Sequence, residues 1–180
     1  MVPKFSFLTK GKGVSKERLT SFEMALRDAG IAEFNLVKVS SIMPPFCKII
    51  SKKEGLKKLS PGQILYVVLS ESATNENGRK VAASVGIAMP ADRSRHGYLS
   101  EHHSFGQSKK EAGEYAENLA AYMLATTLGA PFDADKNYNE QKDIWKISGH
   151  TVKTNELTSF GEGPKDGNWI TVLSAMVLII

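Results

Sequence analysis

Cys47 is the only cysteine in 180 residues, so an intrachain disulfide framework is excluded. No base stands beside it in sequence, and it reads better as a buried apolar side chain than as a nucleophile. Long hydrophobic runs are also missing. The amino-terminal segment breaks its apolar patches with Thr9, Lys10 and Lys12, unlike the h-region of a secretory signal. The longest apolar stretch, Val172 to Ile180, is about half of the roughly 20 residues a membrane helix requires. It reads instead as a strand buried on both faces, and the expected location is cytoplasmic. Aromatic residues are sparse where positive charge gathers. Lys48, Lys52, Lys53, Lys57 and Lys58 have Glu54 and Gly55 among them but lack the interleaved rings of a single-strand binding surface. They read as a solvated connection, and the net charge of +4 is otherwise scattered. No repeat of fixed short period is present. Gly11-Lys12-Gly13 lacks the spacing of a phosphate-binding P-loop. His102 and His103 point to opposite faces of a regular strand and have no Cys, Asp or Glu partner at ligand spacing, so no metal site is expected.

What is present is the composition of an ordinary globular chain, 42% hydrophobic and 23% charged. No composition shift marks a linker, and one domain over 1–180 is expected. A first helix is expected after Ser15 as N-cap, running to Ala29 with Gly30 as its stop, and with Leu19, Phe22, Leu26 and Ala29 as its buried stripe. A second opens on Ser108-Lys109-Lys110-Glu111, a capping box, with Ala112, Tyr115, Ala116, Leu119 and Met123 as its apolar face. Strands are expected at Lys4–Leu8, Asn35–Ser41, Ile64–Ser70, Val81–Met89, His96–His103, Ile144–Val152 and Trp169–Leu178. The glycine-rich stretch Asn155–Asn168 reads as a surface loop. This order suggests a layered α/β sandwich, with helices outside packed sheets.

Chemistry concentrates at Asn35-Leu36-Val37-Lys38-Val39-Ser40-Ser41-Ile42-Met43-Pro44-Pro45. A β-branched strand runs into paired serines and ends at two prolines, which donate no backbone hydrogen bonds and hold the chain extended. Composition alone would make this a strand end carrying a hydrophilic pair. The order of the residues says more. Val39 to Pro45 resembles the self-processing site of the pyruvoyl-dependent arginine decarboxylases. Ser21-Phe22-Glu23, Ala29-Gly30-Ile31 and Asn35-Leu36 upstream, and Gly97 to Glu101 with Ser108 to Ala112 downstream, are similar to the same family. The resemblance covers roughly Ser15 to Leu124 and weakens after Thr126.

The resemblance implies an α/β/β/α arrangement of two packed sheets between helices, assembled as a homotrimer or, in a larger form, a hexamer. It implies cleavage between Ser40 and Ser41 into chains 1–40 and 41–180, with Ser41 becoming a covalent pyruvoyl cofactor. That group would form a Schiff base with arginine and draw off the electrons released with carbon dioxide, giving agmatine for polyamine synthesis. Glu101 would return a proton, which at neutral pH calls for a raised pKa. The strand pattern alone makes Glu101 a half-exposed surface acid, with His103 on its face. Asn35 belongs to the implied site, yet six residues of extended strand put it roughly 20 Å from Ser41. A sharp bend or a second subunit could bring them together, and the second subunit is favoured. Glu23 matches the position that binds the guanidinium, where family members carry aspartate. The longer side chain shortens the pocket by a methylene. Without the family, Glu23 is a helical acid paired with Arg27. Two other readings remain: decarboxylation of lysine, ornithine or histidine, and a non-catalytic relative that binds a small cation. The expected partners are a small amino acid and further copies of the chain, with neither nucleic acid nor membrane.

Overall fold

The computed structural model describes residues 1–130 and 152–180. Its elements, in order, are β1 (Phe5–Ser15), α1 (Arg18–Ala29), β2 (Asn35–Lys38), β3 (Ile42–Met43), β4 (Lys48–Ile49), α2 (Lys52–Leu56), β5 (Ile64–Thr74), β6 (Lys80–Pro90), β7 (Gly97–Phe105), α3 (Lys109–Leu128), β8 (Val152–Glu162) and β9 (Trp169–Ile179).

Two sheets result. One has the order β2-β5-β9-β1-β4 and the other β3-β7-β6-β8. In the first, β9 pairs antiparallel with both β1 and β5, while β2 and β4 add parallel edges. The second sheet is antiparallel throughout. The sheets pack face to face through Met43, Cys47, Val68, Val85, Ile87, Leu99, Met176 and Leu178. Helix α1 covers the outer face of β1 and β9, and α3 covers β6, β7 and β8. This is a layered α/β fold in one domain, as the element order suggested. The apolar run at the carboxyl end is β9, central in its sheet and buried almost throughout. Among the described residues no helix is long and apolar enough to cross a membrane.

Helices α1 and α3 lie closer to their sheets than their sequence patterns suggest. A Cβ on Gly86 of β6 would stand 2.1 Å from the Ala116 carbonyl oxygen of α3, and one on Gly11 of β1 would stand 2.0 Å from that of Ala25 in α1. Glycine on the strand and alanine on the helix permit this approach, which bulky side chains would hold open. The buried stripes differ accordingly from those expected. In α1 the fully buried positions are Ser21, Ala25 and Ala29. Phe22 and Leu26 flank them, and Leu19 is 78% exposed. In α3 the buried positions are Ala112, Gly113, Ala116, Ala120, Ala121, Leu124 and Ala125. Leu119 and Met123 are only partly buried, and Tyr115 stands outside.

At α1 and α3, the helix ends follow their local chemistry in three of four cases. Gly30 stops α1 in the left-handed conformation, and Gly129 does the same for α3. Ser108 and Glu111 form the expected reciprocal box. Ser15 is not the N-cap of α1: it pairs with Trp169 at the end of β1, and Glu17 takes the cap position without a side-chain bond. Strand β1 is also much longer than Lys4–Leu8, because all eleven of its residues find partners on β9.

Other boundaries shift too. The lysine-rich connection contains β4 and α2, the latter closed by its own box between Ser51 and Glu54. Most of Asn155–Asn168 is not a loop, since it belongs to β8 through Glu162. The polar side chains there are satisfied inside the fold: the Thr158 hydroxyl bonds that of Ser84, and the Ser159 hydroxyl donates to the Gly11 carbonyl. Only the stretch after Glu162 forms the turn. The expected strand Ile144–Val152 lies outside the described residues except for Val152, which begins β8.

Candidate active site

The stretch Asn35–Ser41 is not one strand. It pairs with β5 only as far as Lys38, with one further bond from the Val39 N–H to the Val67 carbonyl at 3.0 Å. The chain then leaves the first sheet and enters the second at Ile42, beside Tyr98 of β7. The Ser40–Ser41 peptide is the crossing point. On its amino side the backbone is tied to the first sheet. On its carboxyl side the Ser41 carbonyl accepts the Leu99 N–H at 2.8 Å, which ties it to the second.

This peptide carries a local feature of its own. The Ile42 N–H donates back to the Ser40 carbonyl oxygen at 2.9 Å, closing a three-residue turn around Ser41. A donor held on that oxygen polarises the carbonyl and is placed to stabilise negative charge developing there. The Ser41 hydroxyl donates to Glu101 Oε2 at 2.7 Å. Glu101 comes from β7, on the face that carries Leu99 into the core between the sheets. It extends past the packed region and is exposed in the single chain. A hydroxyl, a carboxylate and a carbonyl that already holds a donor are therefore brought together by one crossing and one neighbouring strand.

The other expected site residues stand elsewhere in this chain. Asn35, on β2, donates through Nδ2 to the Gly62 carbonyl at 2.8 Å. Glu23, on the outer helix, accepts from Arg27 Nε at 2.6 Å, and the two side chains are 42% and 71% exposed. The structure joins Ser41 to Glu101 and brings neither Asn35 nor Glu23 to them. His103 shares the face of Glu101 and lines a cavity of about 540 Å³ with Arg18, Leu19, Phe22, Glu71 and Phe105. His102 faces the opposite way, against Tyr115, with Nε2 at 2.7 Å from Gln107 Oε1. Among the described residues no group of three or more His, Cys, Asp or Glu could hold a metal ion.

A second cavity, of about 510 Å³, flanks the serine pair. Val39, Ser40, Ile42, Pro44, Tyr66 and Leu178 are among its mostly apolar walls. Cys47 lies just beyond, fully buried. It packs in the core between the sheets, and burial pushes its thiol up, partly countered by the Ser6 hydroxyl and the nearby Arg93 charge. Sequence reasoning had no means of finding the Ile42 N–H or the Leu99 N–H, because backbone donors leave no mark in residue type.

The family model for pyruvoyl-dependent arginine decarboxylase matches residues 5–180. The chain belongs to that family. A pyruvoyl-dependent arginine decarboxylase of Nitrosopumilus maritimus is 56% identical over 180 residues, covering 100% of this chain and 98% of that one. One from Methanococcoides burtonii is 53% identical with both chains fully covered. A probable member from Chloroherpeton thalassium is 54% identical over 99% of this chain and 98% of its own. The family match runs past Thr126 to the final residue, so membership extends through the region where the motif resemblance had faded. The covalent group implied by the family's name fits the residues here. Ser41 has a free hydroxyl on a carboxylate and follows a peptide with a polarised carbonyl. Its own carbonyl is anchored independently by Leu99.

Proposed function

We propose that the chain cuts itself between Ser40 and Ser41 and that the product decarboxylates L-arginine to agmatine and carbon dioxide. The observation that carries this reading is the 2.7 Å hydrogen bond from the Ser41 hydroxyl to Glu101, formed at a peptide whose carbonyl already holds a donor. Family membership supplies the substrate.

Cleavage follows from groups in contact. Glu101 accepts the hydroxyl proton as Ser41 Oγ attacks the Ser40 carbonyl carbon, and the Ile42 N–H stabilises the charge that moves onto oxygen. The carbonyl carbon's bond to the Ser41 nitrogen then breaks, leaving an ester and a free amine. Loss of the Ser41 α-proton expels the Ser40 carboxylate and leaves a dehydroalanine. Water adds and ammonia departs, giving chain 1–40 and a pyruvoyl-bearing chain 41–180.

A pyruvoyl group formed from Ser41 would supply a sink for the electron pair left by departing carbon dioxide. Protein groups do the rest. The Leu99 N–H holds the carbonyl of residue 41 against β7, and the proximity of Glu101 to Ser41 supports it as the donor of a proton to the former α-carbon. Glu23 binds the guanidinium in a two-pronged pair, exchanging its exposed Arg27 partner for substrate.

Assembly completes the site. Glu23 and Asn35 bond elsewhere in their own chain, which supports a homotrimer in which a second subunit contributes both; pairing of two trimers would give a hexamer. A lone free thiol suits the reducing cytoplasm. The non-catalytic reading is disfavoured, since Ser41 and Glu101 are present and in contact.

Intact-mass analysis of the purified protein tests this. Two fragments split at Ser40–Ser41, the larger blocked at its amino end, with carbon dioxide released from arginine, are expected. One uncut chain that releases none would sink the reading.

A further inference from the structure

After cleavage, residue 41 becomes a chain end, and something must keep it beside Glu101. Before the cut it is restrained from both sides. Afterwards only the carboxyl side remains. There, the pairing of Ile42 and Met43 with Tyr98 and Gly97 is very short, and Pro44 and Pro45 provide no N–H.

The next anchor is Arg93, in the turn between β6 and β7. Its carbonyl accepts the Phe46 N–H at 3.0 Å. Its guanidinium donates through Nη2 to the Cys47 carbonyl at 2.5 Å and through Nη1 to Met89 Sδ at 2.9 Å. One residue thus grips two successive positions of the segment and ties them to the end of β6.

The gripped segment is strained. The Cys47 N–H reaches the Pro44 carbonyl at 3.3 Å, closing a turn with Pro45 and Phe46 at its centre. Phe46 has φ of +57° there, a conformation that turns of this kind reserve for glycine. Phe46 is 66% exposed, so burial of its ring does not hold it in place. Its N–H is held by the Arg93 carbonyl, and the next carbonyl by the Arg93 guanidinium.

We infer that Arg93 is a positioning residue: it holds the Pro44–Cys47 turn in its strained form and so keeps the catalytic chain end in register with Glu101 once the Ser40–Ser41 bond is gone. The inference rests on the cleavage reading above. Before the cut, the intact peptide shares this task, so Arg93 matters more to decarboxylation than to cleavage.

The test compares wild type, Arg93→Ala, Arg93→Lys and Arg93→Ala combined with Phe46→Gly. Each is followed by intact mass for cleavage and by steady-state kinetics on the cleaved protein. In Arg93→Ala, cleavage is expected to proceed at close to the wild-type rate, while kcat falls roughly ten- to a hundredfold with KM little changed. Arg93→Lys, which keeps one donor, should recover part of kcat. So should Phe46→Gly in the Ala background, because glycine takes the positive φ without strain. A merely structural loss would slow cleavage along with kcat, whereas a positioning loss leaves cleavage near the wild-type rate. Unchanged kcat in Arg93→Ala, or a loss that neither rescue reverses, would overturn the role of Arg93 while leaving cleavage intact. A wild type that never cuts would overturn both.

Discussion

The Ser41 hydroxyl and the Glu101 carboxylate meet at 2.7 Å although 60 residues separate them in sequence. In the reactions proposed above this one contact serves twice, since a carboxylate that takes the hydroxyl proton during cleavage is in position to return a proton to substrate afterwards. Glu101→Gln keeps the size and a hydrogen-bonding group but cannot carry the proton. Both steps should slow, with kcat on the cleaved fraction falling about 10²–10⁴-fold. Mass analysis over time measures the first step and carbon dioxide release the second. Full-rate turnover in the Gln variant would remove Glu101 from the chemistry.

The separate sites of Asn35 and Ser41 give a test by subunit mixing. Asn35→Ala and Ser41→Ala should each be inactive alone. Mixed under conditions that exchange subunits, they should regain activity, because some interfaces then receive Asn35 from one chain and Ser41 from another. If the mixture stays as inactive as its parents, the shared-site reading loses its support.

Glu23 now holds Arg27 in an exposed i,i+4 pair, an interaction worth only about 0.3–0.5 kcal/mol. A substrate guanidinium bound by two prongs can displace it. Glu23→Gln should therefore raise KM for arginine about tenfold or more with little change in kcat. Glu23→Asp restores the shorter acid and should keep arginine as a good substrate. Comparing arginine with lysine and ornithine across the three proteins reads the specificity directly; equal KM values in wild type and Glu23→Gln would exclude this carboxylate from recognition.

Gly86 lets α3 lie against β6. A methyl group there must push the helix backbone away, because its nearest neighbour is the Ala116 carbonyl oxygen. Gly86→Ala should destabilise the fold by about 1–3 kcal/mol, seen as a lower denaturation midpoint. A midpoint equal to wild type would mean that the helix can shift at little cost.

Much of this architecture was legible from pattern, and the failures share a cause. The box at Ser108 and the stop at Gly30 are short-range devices, and they form as read. The end of β1 and most of β8 were hidden because their polar and glycine residues look like loop. Ser159 and Thr158 become strand residues only when Gly11 and Ser84 arrive to bond them. Leu19 was assigned to the core by spacing, but the glycines of β1 draw α1 in around its alanines and leave Leu19 outside.

Family membership is written in the ordered run from Val39 to Pro45, and that information is local. What surrounds Ser41 is set by the tertiary structure. The strand expected to continue through Ser41 ends at Lys38, and the chain crosses between two sheets at the Ser40–Ser41 peptide. There backbone donors from Ile42 and Leu99 and a carboxylate from β7 converge. Such convergence depends on which strands pair across long separations, and neither composition nor periodicity records it.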